Sequence, residues 1–280
     1  MNWVFLGDSL TEGVGSKRIS YVTELVTQLR AIGGTNVHEF RLRHVEPGGF
    51  VEFNVAGKMD VDRSANSADL WLWNLACEGQ TIETDVAWLP LIDALRAELV
   101  VIFRGSLESI VRPAALHDGT WPWWVPSPWR SYAAMDPRCY FSTTWWRKAK
   151  QQLLDATRQR TRLNLLSRGP GRPLLEAQDV TDHLVTLVRQ LKTLNTRVLI
   201  LGLLPVDETR FPGSPESFKS VNKRLEQIAA TEAVEFFDWG AELKARHPTD
   251  TLFYRDGFHP NLAGATALAE ILRSRLCQHL

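Results

Sequence analysis

The stretch Val4-Phe5-Leu6-Gly7-Asp8-Ser9-Leu10-Thr11-Glu12-Gly13 decides how this chain is read. A short apolar run stops at a glycine and then presents a serine between a carboxylate and, four residues on, a second glycine. A buried strand would deliver a side chain into a turn in this way. A serine at such a place is commonly a turn or helix-cap residue. For it to act as a nucleophile, the chain must supply a base elsewhere.

Working outward, Val22, Leu25, Val26 and Leu29 recur at helical spacing and Gly33-Gly34 follows as a stop, so residues 20–32 read as a helix and complete a strand-turn-helix unit. Residues 36–60 carry strand-like pieces, Val37 to Val45 and Phe50 to Val55, around Pro47-Gly48-Gly49, and Asp69 to Ala76 reads as a further strand. Ile82 to Ala97 is apolar-periodic, with Pro90 starting or kinking a helix. It leads into Leu99-Val100-Val101-Ile102-Phe103, a continuous apolar run suited to a strand covered on both faces.

Residues 106–172 break the rhythm. Six of the eleven tryptophans (Trp121, Trp123, Trp124, Trp129, Trp145, Trp146) fall there among prolines, followed by a basic helix. Regular order returns with a helix stripe from Val180 to Leu194, a buried strand Val198–Leu204, a helix starting at Ser214-Pro215, a short strand Val234–Phe237 and a C-terminal helix striped by Leu262, Ala265, Leu268, Leu272 and Leu276. Alternating strands and helices predict an α/β three-layer domain with a mainly parallel sheet. The expectation is one domain, residues 1–280, with an insertion at about 106–172. A chain of 280 residues is near the upper size of one hydrophobic core.

Charge excludes some partners. Lysine plus arginine and aspartate plus glutamate are 32 each, so no global field recruits nucleic acid or anionic membrane. Cys77, Cys139 and Cys277 are widely spaced without a Cys-x-x-Cys pair, and they read as reduced thiols rather than a disulfide framework or zinc knuckle. The histidines show no metal-ligand spacing, so neither metal nor other cofactor is expected. The polar Gly7-Asp8-Ser9 arrives too early for a secretory leader, and no apolar run of about 18 residues offers a membrane span. A cytoplasmic protein is the expectation.

The missing base has a candidate at Asp256-Gly257-Phe258-His259-Pro260. An aspartate three residues before a histidine, in a loop entering a helix, can hold the imidazole Nδ1–H while Nε2 points outward. In a parallel α/β sheet the functional crevice lies at the carboxyl ends of the strands, where Ser9 and this loop can converge.

With both ends in view the chain resembles the SGNH or GDSL family of serine hydrolases. Gly7-Asp8-Ser9-Leu10-Thr11-Glu12-Gly13 is similar to the family's first block and Asp256-Gly257-Phe258-His259-Pro260-Asn261-x-x-Gly264 to its last. The resemblance implies a flavodoxin-like α/β/α fold, with Ser9 as nucleophile, His259 as base and then acid, and Asp256 as orienter. Asn74, Gly79 and Thr81 match the second block, which makes the Gly79 N–H an oxyanion donor beside that of Ser9. The third block departs: where the family carries Gly-x-Asn-Asp, this chain reads Gly105-Ser106-Leu107-Glu108, and leucine has no side-chain donor. Another donor (Arg104, Asn74 or a group from the insertion), a slow enzyme, or a site kept for binding alone would each account for it. Asp8 and Glu108 join the candidates for support of the site.

The tryptophans offer two readings. Trp121, Trp123 and Trp124 could wall the site and stack on a sugar ring or enclose an acyl chain, or they could pack the insertion onto the rest of the protein or a second subunit. From Arg147 to Arg172 eight basic residues stand against one acid, Asp155, which reads as a solvated helix face or a surface for an anionic glycan or phosphorylated carrier. The expected activity is hydrolysis of a short acyl ester, such as an acetyl ester, of a carbohydrate or related small molecule. The alternatives are an acyltransferase to a sugar hydroxyl and a carbohydrate-binding protein that has lost catalysis. Oligomeric state is not legible.

Overall fold

The structure is a computed structural model that describes residues 1–14, 19–33, 36–41, 69–139, 141–248 and 251–277. Strand β1 (Asn2–Gly7) is buried along nearly its whole length and runs straight into the short helix α1 (Ser9–Glu12). Helix α2 (Tyr21–Ile32) buries the stripe expected of it, and β2 (Val37–Arg41) and β3 (Leu70–Asn74) follow. The piece Phe50 to Val55, the end of the Val37 to Val45 piece and the Pro47-Gly48-Gly49 turn lie outside the described residues. Strand β3 ends at Asn74, whose side chain accepts the Ala76 N–H at 3.2 Å, while Leu75 and Cys77 still donate to the Phe5 and Gly7 carbonyls of β1 at 3.0 and 3.3 Å.

The Ile82 to Ala97 stretch is two pieces, a 3₁₀ run Ile82–Trp88 and the helix α3 (Leu89–Leu95). Pro90 sits in the first turn of α3, where its missing N–H has no intrahelical acceptor to lose. Strand β4 (Leu99–Phe103) is fully buried, as its unbroken apolar run requires. The segment that breaks the rhythm folds as short helices α4 (Ser106–Ser109), α5 (Ala115–Asp118) and α6 (Tyr132–Met135), then the long α7 (Trp145–Arg168). Its ends meet: Arg112 and Arg172 exchange two backbone hydrogen bonds of 2.9 Å.

Helix α8 (Ala177–Thr193), strand β5 (Arg197–Leu201), helix α9 (Ser214–Glu232) and strand β6 (Glu235–Phe237) restore the alternation. Strand β5 ends before the expected Leu204, since the Asn222 side chain accepts the N–H of Leu203 at 2.6 Å and donates to its carbonyl, removing that residue from the sheet. Helix α10 (Trp239–Arg246), capped by Asp238, carries no apolar stripe long enough to announce it in the sequence, and α11 (Leu262–Leu276) closes the chain.

The six strands form one sheet in the order β2-β3-β1-β4-β5-β6, every pair parallel. Helices α2 and α11 pack together, as do α8 and α9, so the sheet is covered on both faces and the fold is a three-layer α/β/α sandwich. Connections from β1 lead one way along the sheet and those from β4 the other. Gly7 pairs with Phe103, which sets the residues after β1 beside those after β4 at the carboxyl edge, where crevices open in such sheets.

Candidate active site

Ser9 is the first residue of α1. Asp8 is the N-cap, its carboxylate accepting the Leu10 N–H at 2.9 Å, and this turns the chain so sharply after β1 that Ser9 stands at the strand's end. Its Oγ lies 3.0 Å from His259 Nε2, across 250 residues of sequence. On the other side of the ring Nδ1 lies 2.7 Å from Asp256 Oδ2. A carboxylate only accepts, so Nδ1 carries the proton and Nε2 is left to accept from the serine. Asp256 is itself fixed. It is buried, and its second oxygen accepts the N–H groups of Phe258 and His259 at 3.1 and 3.2 Å.

The loop holding this pair depends on two glycines. Gly257 has φ of +66°, a conformation that disfavours side chains, and a Cβ there would meet Asp207 Cβ at 2.5 Å. At Gly264 a Cβ would fall 2.0 Å from the Leu252 carbonyl oxygen, so only glycine lets α11 start where Asn261 caps it. A hydroxyl hydrogen-bonded to an imidazole that a buried carboxylate orients can lose its proton as it attacks a carbonyl.

Around this line the candidates divide. Gly79, at φ +75°, is exposed, and its N–H finds no acceptor among the described residues. The Asn74 amide donates to the Thr11 carbonyl at 3.0 Å, so it braces α1. Arg104 is held too. It is buried, with Nε and Nη2 on Asp85 at 2.7 and 2.5 Å and Nη1 on the Gln80 carbonyl at 2.8 Å. Burial raises the Asp85 carboxyl and the facing guanidinium opposes that rise. The guanidinium resists losing its proton, and the fork-on-carboxylate contact is that of an ion pair.

Asp8 and Glu108 also lie under the site, not in it. Burial raises the Asp8 carboxyl, with the charge of Arg104 pulling the other way. Glu108 is buried and accepts the Ile82 N–H at 2.7 Å; burial pushes its carboxyl up to about 7, against the pull of Arg104. Three carboxyls and one guanidinium thus form a buried floor beneath Ser9. Asp85 was not singled out in the sequence, and its only signal is an acid in a stretch that is otherwise apolar-periodic.

The tryptophans do not wall the serine. Trp121 and Trp124 pack with Trp129 around Val125, Met135 and Leu165, a small second core between the segment's loop and α7, whereas Trp123 points into solvent. The hollow beside Ser9 is lined instead by Leu10, Val14, Ile19, Tyr21 and Pro260. Trp121 and Trp124 thus pack the segment onto itself. What the segment does bring to the site is Asp155 of α7. It accepts from Arg255 at 2.7 Å and from the Arg138 N–H at 3.1 Å, which ties the residue before Asp256 to the long helix.

Cys139, read from the sequence as an ordinary thiol, ends up beside the pair. Its sulfur and single ligand atoms of Asp256 and His259 all lie within 4.8 Å of one another. A soft metal ion could be held there only by pulling the imidazole from its carboxylate, since Asp256 Oδ2 already takes the Nδ1–H.

Over residues 5–267 the chain matches the profile of the GDSL-like lipase/acylhydrolase family. The chain belongs to that family. It is thus a carboxylic ester hydrolase of the SGNH type. No curated protein sequence matches it. Among solved structures it is similar to a catalytic mutant of Axe2, an acetylxylan esterase from Geobacillus stearothermophilus, at 14% identity and a TM-score of 0.56 over 98% of this chain and 93% of that one. TesA aligns at 16% identity and a TM-score of 0.52 over the whole of both chains, and the lipase/acylhydrolase from Enterococcus faecalis at 14% and 0.55 over 100% and 97%. At such identities the likeness is one of fold. No helix among the described residues is long and apolar enough to cross a membrane.

Proposed function

We propose that the protein is a serine esterase that removes a short acyl group, such as acetyl, from a carbohydrate or related small molecule. The observation that carries this reading is the unbroken line Ser9 Oγ, His259, Asp256, with contacts of 3.0 and 2.7 Å. Ser9 Oγ attacks the ester carbonyl while His259 Nε2 takes its proton. The negative charge on the carbonyl oxygen is met by the N–H groups of Ser9 and Gly79. The same imidazole returns the proton to the departing alcohol, leaving an acyl group on Ser9. Water, deprotonated by His259, then releases the acid and restores the hydroxyl. No cofactor enters.

We read the acyl group as short, and among the described residues a hollow beside Ser9 is bordered by Leu10, Val14, Ile19, Tyr21 and Pro260. The likeness to an acetylxylan esterase gives weight to a carbohydrate ester. The chain is taken as one hydrolase domain that carries residues 106–172 as an insertion. With Leu107 in place of an asparagine and Arg104 held by Asp85 and Gln80, the oxyanion rests on backbone donors. The loss of one side-chain donor corresponds to roughly 10²–10³ in rate.

A fluorophosphonate probe tests the reading without the natural substrate. Wild-type protein should be labelled at Ser9 and Ser9→Ala should not, and Ser9→Ala should hydrolyse aryl acetates at least about a thousandfold more slowly. Equal hydrolysis by the two proteins would dispose of Ser9 as nucleophile. Faster turnover of aryl octanoates than of aryl acetates would dispose of the short acyl group.

A further inference from the structure

Helix α7 presents to solvent a face that no part of the described chain covers. Its inward side carries Asp155, Arg162 and Leu165. On the outward side Trp146 and Leu153 stand seven residues apart on one line, with Trp145 and Leu163 beside it. Trp145 is 79% exposed and Leu153 70%. Lys150, Arg160 and Arg168 flank this stripe, and the only acid of the helix, Asp155, is turned inward and bonded to Arg255. The outward face thus carries exposed tryptophans, leucines and cations interspersed with the neutral polar Gln152, Thr157 and Asn164, and the helix places no carboxylate on it.

The far end of the helix continues the pattern. The Arg168 guanidinium lies 5.6 Å over the Trp124 ring, so the neighbouring Trp123, 91% exposed, stands near the C-terminal end of α7. Exposed indoles thus mark both ends of a helix about 36 Å long at 1.5 Å per residue.

We infer that this face of α7 seats the enzyme on an anionic lipid surface, the helix lying in the plane of the interface with its indoles and leucines among the headgroups. Three features single out this occupant. Tryptophans at the ends, leucines between them and flanking lysine and arginine are the makeup of helices that lie in a membrane interface, not across it. A dissolved polyanion would pair with the cations but gain nothing from Leu153 and Leu163, which neither stack on a sugar nor hydrogen-bond. A second copy of the chain would bring like charges face to face. The inference is independent of the chemistry at Ser9, and it places the zero net charge of the chain in a different light: the field that matters is local.

The test is cosedimentation of the full chain with vesicles of phosphatidylcholine and phosphatidylglycerol, against phosphatidylcholine alone and against dextran sulfate. Binding to the anionic vesicles only, with a blue shift of tryptophan emission and release by high salt, is expected. Lys150→Glu with Arg160→Glu should weaken it roughly tenfold or more. Leu153→Glu with Trp146→Ala should remove the blue shift. Both double variants should keep parental circular dichroism and aryl acetate hydrolysis, which shows that the fold is intact. No binding to anionic vesicles by the parent overturns the inference. So does vesicle binding indifferent to Leu153 and Trp146, or a dimer in solution that Leu153→Glu dissociates, because the face would then be answering to charge alone or to its own copy.

Discussion

The floor beneath Ser9 and the outer surface of the segment 106–172 handle charge in opposite ways. Under the serine, Asp8, Asp85, Glu108 and Arg104 are all buried, and the one guanidinium is clamped by two contacts to Asp85. In the segment most of the cations are left at the surface, several lying over aromatic rings: Arg158 over Trp129 at 5.6 Å, Arg147 over Trp146 at 5.0 Å. Rigidity is built where atoms must be held to fractions of an ångström for chemistry, since buried charges tolerate little displacement. The segment, packed on a three-residue core, has chiefly to hold a surface.

If that contrast is right, the largest effect comes from unpairing the floor. Arg104→Met leaves Asp85 buried without its partner, and stability in urea should fall by about 3–5 kcal/mol. A loss below about 1 kcal/mol would mean the pair is not a structural clamp. Second is Glu108. Its folded-state carboxyl is raised to about 7, so between the ordinary carboxylate range and that value the folded protein holds a proton that the unfolded chain has lost. The stability this gives is full below the unfolded value and disappears as pH rises through about 7, roughly 3 kcal/mol in all. Glu108→Gln, a mimic of the protonated form, should flatten that slope in melts taken at stepped pH, and an unaltered slope would assign it to another group.

A smaller effect is expected where the two regions touch. Asp155→Ala frees Arg255, the residue before Asp256, and should lower kcat for aryl acetates by roughly tenfold with KM little changed, because the imidazole is less well held. Unchanged kcat would show that the segment is a passenger on the triad loop. Smallest of all, Trp123→Ala should alter stability by less than about 0.5 kcal/mol and leave small-ester hydrolysis as it was, since the ring is almost fully exposed. A lost activity there would return Trp123 to the site.

The two regions also differ in how far the sequence betrays them. The strand ends are legible because their chemistry is local: Ser9 follows an apolar run, and Asp256 and His259 share one five-residue stretch with the glycine its turn needs. The periodic stripes of α2, α8, α9 and α11 fell where apolar spacing put them, because each had to cover a sheet face. The spacing of Asn74 and Arg104 marks them as candidates for the site, and the structure shows what each hydrogen-bonds. Nothing in their spacing tells that Thr11 accepts from Asn74 or that Asp85 and Gln80 hold Arg104. The tryptophans were read from composition, which counts rings and not directions.

The alternation of strands and helices, the serine turn, the aspartate-histidine loop and the leucine where the family carries asparagine can all be read along the chain, because each is written in adjacent residues. Only the tertiary structure decided that Ser9 meets His259 across 250 residues, that Cys139 and Asp155 approach the same loop, and that α7 turns its single acid inward and its tryptophans outward. Those outcomes depend on which surfaces the packed sheet leaves to be covered, and no local pattern records that choice.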